Sequence, residues 1–214
     1  MVWRSVLGRL DSRSLVFVDE MGTHTSLAPL YGYSPRGQRA LFKIPRNRGT
    51  NTTLLSSMTL EGMGSSMVIE GSTTKEVFEV YIEHFLAPTL RTGLVLVIDN
   101  LSVHKEDRVR RLIEDRGCEL LYLPPYSPDL NPIEEAFSKV KRLLRVIGAR
   151  TKEALVEAMG NALDSVGTRD ARGFFTHCGY GVVEQQLSRT LQLRTGIDTP
   201  ASLYSRRRIL RMLS

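Results

Sequence analysis

The chain has 214 residues, 42% of them hydrophobic, which is enough for one domain of ordinary size with a proper core plus an appendage. Lysine and arginine outnumber the acids 29 to 23 for a net charge of +6, and the isoelectric point near 9.5 suits a polyanionic partner such as DNA. No apolar run approaches the roughly 18 residues of a membrane span, the amino terminus is too polar for a secretory signal, and Cys118 and Cys178 have neither disulfide-framework nor zinc-knuckle spacing, so a cytoplasmic protein with two reduced thiols is expected.

In chain order, residues 15–18, Leu-Val-Phe-Val, form a continuous apolar run that ends in Asp19-Glu20. This pattern predicts a buried strand with a carboxylate at its carboxyl end. Turn residues follow over 31–39, and residues 40–44, 52–59 and 66–70 are expected as short strands of an antiparallel meander, separated by Gly, Pro and Asn. From Thr74, a candidate cap, apolar residues Val77, Phe78, Tyr81, Ile82, Phe85 and Leu86 recur at helical spacing.

Residues 94–98, Leu-Val-Leu-Val-Ile, then predict a second buried strand closing on Asp99-Asn100. A charged amphipathic helix is expected over 104–116, stopped by Gly117, and a strand over 119–123. Four prolines in the nine residues 124–132 leave room only for a rigid loop. Asn131 and Pro132 then start a helix that carries Glu134 and Glu135 in its first turn and breaks at Gly148; a second helix is expected over about 152–166. Beyond about residue 180 the patterning decays into a basic, half-apolar terminus without an evident core partner. Strands and helices in this order predict an α/β layered domain.

Asp19, Asp99 and Glu134 are the acids presented by these elements. Three carboxylates repel one another at close range, so they make a poor structural device without a cation. They do suit magnesium, a hard ion that takes oxygen ligands and keeps several waters, and the four histidines show no zinc-like clustering. Against this, strand ends commonly expose polar groups, and any one of the 23 acids could sit there for that reason alone.

Residues 97–104, Val-Ile-Asp99-Asn100-Leu-Ser-Val-His104, and 123–134, Leu-Pro-Pro-Tyr-Ser-Pro-Asp-Leu-Asn-Pro-Ile-Glu134, resemble the second and third catalytic motifs of the mariner superfamily of DDE transposases. The 34 residues between Asp99 and Glu134 match the bacterial insertion-sequence branch, and residues 16–20 resemble the first motif. The resemblance implies a ribonuclease H-like mixed sheet flanked by helices. It divides the chain into a short remnant over 1–13, a catalytic domain over 14–180, and a poorly patterned basic tail over 181–214. It also implies metal-dependent DNA cleavage and strand transfer. Asp19, Asp99 and Glu134 would be catalytic residues and metal ligands for two Mg2+ ions, with Mn2+ able to substitute.

Asn100, His104, Tyr126 and Asn131 match the pattern as supporting residues, and Glu20 and Glu135 as neighbours that assist or face solvent. Lys139, Lys141, Arg142 and Arg145 on the helix of Glu134, and Arg36, Arg39, Lys43, Arg46 and Arg48 around a hairpin, either reach DNA phosphates or form solvated faces. The implied partners are DNA (element ends and target), a second copy in a homodimeric DNA complex, and a separate helix-turn-helix protein from an upstream frame; no membrane is involved. Location would be cytoplasmic, on the nucleoid when DNA-bound. The competing readings are an inactive truncated remnant that keeps DNA binding, and a ribonuclease H-like nuclease without strand transfer.

Overall fold

A computed structural model describes residues 11–41, 43, 46, 49–100 and 107–181, together with the backbone of 209–211. Its sheet contains β1 (Leu15–Thr23), β2 (Thr52–Thr59), β3 (Gly62–Glu70), β4 (Val95–Ile98), β5 (Glu119–Tyr122) and β6 (Ile209–Arg211), in the spatial order β5-β4-β1-β2-β3-β6. The helices are α1 (Lys75–Tyr81), α2 (Asp107–Glu114), α3 (Pro132–Ile147), α4 (Lys152–Asp164) and α5 (Thr168–His177). β1, β2 and β3 run antiparallel to their neighbours in the meander, whereas β4 pairs parallel with both β1 and β5. The change of sense follows from the connections: a tight turn joins antiparallel strands, but parallel strands need a crossover long enough to hold a helix.

Period-two alternation splits the core into two layers. Leu15, Phe17, Met21, Leu54, Met58, Val95 and Val97 point to the side covered by α3, α4 and α5. Val16, Val18, Leu55, Met67, Leu96 and Ile98 point to the side covered by α1 and α2. Because both faces are covered, β1 and β4 read as unbroken apolar runs.

Local signals account for several boundaries. Thr74 Oγ1 accepts a hydrogen bond from the Val77 N–H at 3.4 Å and caps α1 as expected. The apolar helical run beyond Tyr81 does not stay α-helical: it widens into a π turn at Ile82–Leu86 and tightens into a 3-10 turn at Ala87–Thr89, where Pro88 sits. Gly148 ends α3 at φ 63°, the left-handed position that glycine takes most readily. A bulge lies in the β2–β3 ladder between Ser56 and Met58, and there a Cβ on Gly64 would stand 2.5 Å from Ser57 Oγ, so a larger residue would require that buried hydroxyl to move.

Four expectations need correction. β1 does not end before Asp19 but continues to Thr23, because β2 pairs with it along this whole length. Among residues 40–44 the described positions 40, 41 and 43 are exposed and not in a strand, since no neighbouring strand meets them; 42 and 44 lie outside the described residues. α5 was unforeseen, its core residues being only Ala171 and Phe175 on an otherwise polar segment. In the tail, Ile209–Arg211 adds a short parallel strand beside β3, too brief to leave a pattern. The helix expected over 104–116 is seen as α2, and residues 101–106 lie outside the described residues.

α5 matters because of where it docks. Phe17, two residues before Asp19, meets Phe175 edge-on at 5.2 Å and Tyr180 at 5.0 Å between ring centroids. The Tyr180 hydroxyl donates to the Leu130 carbonyl at 2.7 Å, tying this aromatic group to the proline-rich loop. No described helix is long and apolar enough to cross a membrane.

Candidate active site

Strand register brings the first two acids together. Phe17 pairs with Val97 and Val18 with Ile98 in the parallel β1–β4 ladder, so Asp19 and Asp99 are the next residues on adjacent strands, about 4.8 Å apart in a ladder of this kind. β4 stops at Ile98 while β1 continues, so Asp99 comes just past the strand end, beside an Asp19 still paired to β2. The same alternation along β1 that puts Phe17 on the α3 side puts Asp19 there, and turns Glu20 to the opposite face. Leu123 N–H donates to the Ile98 carbonyl at 2.9 Å, so the proline-rich loop departs from beside Asp99. It returns through Asn131 to α3, whose first turn carries Glu134 at the positive end of the helix dipole.

Asp19 is 5% exposed and is held by two donors. Its Oδ1 accepts the Glu20 N–H at 2.7 Å, and its Oδ2 accepts the Asn131 Nδ2 amide at 2.8 Å. Burial, followed by the negative charge of Glu134 and with a further contribution from Asp99, pushes the Asp19 carboxyl up to about 8. Glu134 and Asp99 thus both lie near enough for their charge to be felt at Asp19. Among the described residues no three acid, histidine or cysteine side chains stand close enough together to hold a metal ion as they are placed. The donor set is nonetheless what a hard divalent cation takes: carboxylate oxygens from three elements, one of them keeping a proton that a cation would displace.

Asn131 stands at the cap position of α3, but its side chain makes no cap hydrogen bond; it is spent on Asp19, with its Oδ1 buried and unpartnered. Glu135 neither joins the acids nor faces open solvent. It pairs with His177 Nδ1 at 2.5 Å and accepts from Cys178 Sγ at 3.7 Å. Burial and then the Glu135 charge push the Cys178 thiol up to about 12, so it stays an unreactive thiol.

The remaining candidates divide. Asn100 is half-buried beside Asp99, Tyr126 is exposed on the loop, and His104 lies outside the described residues. Lys139 is turned away: its Nζ donates to Ser165 O and Asp170 Oδ2, both at 2.8 Å, clasping α3 to α5. Helical spacing places Lys141 and Arg145 on the Glu134 side of α3, roughly 10 and 16 Å along the axis. Arg142 falls instead on the side of Lys139 and Glu135. Arg36, Arg39, Lys43 and Arg46 are exposed between β1 and β2, and Arg48 lies outside the described residues.

Residues 14–156 match the family model described as DDE superfamily endonuclease. The chain belongs to this family. The chain is similar to the Tc1 transposable element transposase of Caenorhabditis elegans, 27% identical over 138 residues, which cover 63% of this chain and 50% of that protein. It is also similar to the Tcb1 transposase of Caenorhabditis briggsae, 34% identical over 103 residues covering 45% and 38% of the two chains. This DDE chain thus spans half or less of the relatives' length.

In three dimensions it resembles the Mos1 strand transfer complex, with a TM-score of 0.66 at 20% identity over 83% of this chain and 55% of the other. The same fold recurs in Mos1 paired end complexes with Mg and with Mn, each at TM-score 0.61. The sheet is therefore the ribonuclease H-like mixed sheet flanked by helices that the motifs imply, in its mariner form.

Proposed function

We propose that this chain is the catalytic subunit of an insertion-sequence transposase, which cuts DNA at element ends and joins them to a target with the help of divalent metal. The observation that carries this reading is that Asp19 on β1 stands beside Asp99 at the end of β4 and lies within reach of the charge of Glu134 at the start of α3, three acids from three elements. The catalytic unit spans 14–180; the hydrogen bond from Ser12 Oγ to Gly181 O at 2.6 Å, which brings its two ends together, supports that boundary.

Asp19, Asp99 and Glu134 would hold two Mg2+ ions, or Mn2+ in their place. When bound, such ions polarise the attacking oxygen and stabilise the leaving oxygen of an in-line displacement at phosphorus. The protein's part is positioning. Asn131 and the Glu20 N–H fix the two oxygens of Asp19, and the proline-rich loop sets the start of α3 and with it Glu134. To serve as a ligand Asp19 would have to be in its ionised form.

Water attacks the phosphodiester at the element end, forming one P–O bond as the bond to the 3′ oxygen breaks, and the freed 3′ hydroxyl then attacks target DNA in the same way. No covalent enzyme intermediate is required. Lys141 and Arg145 meet phosphates beyond Glu134. The partners are DNA, a second copy in the synaptic complex and a separate helix-turn-helix protein, and the setting is the cytoplasm, on the nucleoid when DNA is bound.

The test is Mg2+-dependent joining of a pre-cleaved donor end to plasmid DNA, comparing the native chain with Asp99→Ala and Glu134→Ala. Joining that both substitutions abolish supports the reading. Cutting without joined product points to a simple nuclease, and neither activity, with the recognition protein supplied, to an inactive remnant.

A further inference from the structure

Tyr126 is the one non-glycine residue with positive φ among the described residues, at 57°. A bulky side chain rarely takes this conformation, and turns that begin with proline, as here with Pro125, normally give the position to glycine or asparagine. The fold gains nothing in return, because the side chain is 103% exposed and packs on no core. An exposed aromatic is unremarkable on a mobile surface, but here the backbone that carries it is braced. Ser127 Oγ donates to Pro125 O at 3.3 Å, Leu130 N–H to Ser127 O at 3.1 Å, and Asn131 N–H to Pro128 O at 3.0 Å. The Tyr180 hydroxyl fixes the Leu130 carbonyl from below.

The two ends of this loop are the site itself: it leaves from beside Asp99 and returns at the residue bonded to Asp19. A phosphodiester that reaches the three acids therefore has its adjoining nucleotides alongside the loop. An exposed phenol ring on this braced backbone offers such a nucleotide a flat face, and every base has one to match.

We propose that Tyr126 stacks on a nucleobase adjoining the phosphodiester that is cut, and so holds that nucleotide in register with Asp19, Asp99 and Glu134. This rests on the DNA-cleaving reading above, but it can be tested apart from chemistry. The probe is a nicked duplex with 2-aminopurine at successive positions beside the nick, bound to the full chain in Ca2+, where cutting does not proceed.

Quenching by the native chain at one position beside the nick is expected, lost in Tyr126→Ala, kept in Tyr126→Phe and Tyr126→Trp, with probe affinity roughly tenfold weaker for the alanine variant. Tyr126→Gly should lose the quenching with an unchanged or higher Tm, because glycine takes positive φ freely. A residue with a purely structural role would not separate stability from stacking in this way. No quenching by the native chain, or equal quenching by native and Tyr126→Ala proteins, overturns the proposal. If the native chain joins DNA but Tyr126→Ala quenches normally, stacking fails and the transposase reading stands; if quenching depends on Tyr126 but nothing is cut in Mg2+, the reverse holds.

Discussion

Asn131 Nδ2 donates to Asp19 Oδ2 at 2.8 Å, a bond between residues 112 positions apart that joins the start of α3 to the middle of β1. It makes the position of one acid depend on the helix that carries another. Asp19 could not be held by the sheet alone, because β4 has ended beside it and its carboxyl faces the repulsion of Glu134 and Asp99. Asn131 is buried and uncharged, so it supplies a donor without adding a cation that would compete for the site.

Removing that donor should loosen Asp19 without removing any metal ligand. Asn131→Ala is expected to raise the Mg2+ concentration needed for half-maximal joining by about 10- to 100-fold, the usual cost of losing a partner that orients a ligand. Asn131→Asp should be worse, since it places another carboxylate against Asp19. A metal titration of joining checks both, and an unchanged midpoint for the alanine variant would sink the idea.

The Asp19 carboxyl is raised to about 8 from 3.8. Between these values the folded chain binds more protons than the unfolded one, so without metal its stability must fall as pH rises through this window. A melting series in EDTA from pH 5 to pH 8.5 should show a decline of at least about 3 °C in Tm. Asp19→Asn, which cannot ionise, should flatten the series and melt higher than the native chain at the alkaline end. Saturating Mg2+ should restore much of the loss by binding the ionised form.

How far the sequence could be read depended on the range of each signal. The strands over 52–59 and 95–98, the start of β1 at Leu15, the helix at 132–147 and its stop at Gly148 all rest on local periodicity, caps and turn residues, and they appear where expected. The motifs single out the three acids, but that Asp19 and Asp99 stand side by side became visible only with the register Val18↔Ile98. What stayed hidden rests on distant partners. Asn131 has the local look of a helix cap yet bonds to Asp19, and α5 is weakly patterned because Phe17 and Tyr180, far off in sequence, complete its core. Lys139 has the same composition-level signal as Lys141, and only the position of Asp170 separates them.

That separation predicts different outcomes for two neighbouring lysines. Lys139→Ala should cost about 0.5–1 kcal/mol in stability, as befits a partly exposed ion pair with a second hydrogen bond to Ser165 O, and leave DNA affinity nearly unchanged. Lys141→Ala and Arg145→Ala should leave stability within about 0.5 kcal/mol. Each should weaken binding to duplex DNA and flatten its salt dependence by about one counterion. Denaturant melts and binding isotherms over a range of NaCl concentrations give both readouts.

The aromatic group under β1 sets up the last comparison. Phe175→Ala removes a fully buried ring that meets both Phe17 and Tyr180, and should cost about 3–5 kcal/mol, enough to unfold much of the population in a domain of ordinary stability. Tyr180→Phe keeps the ring and takes away only the hydroxyl that holds the Leu130 carbonyl, which leaves that carbonyl short of a partner at a cost of about 1–3 kcal/mol. Because Leu130 precedes Asn131, the second variant should stay folded at 25 °C yet join DNA more slowly, with the loss falling on rate more than on DNA affinity. A Tyr180→Phe protein that is destabilised but fully active would mean that the loop needs no support from α5, and that its prolines alone hold Glu134 in place.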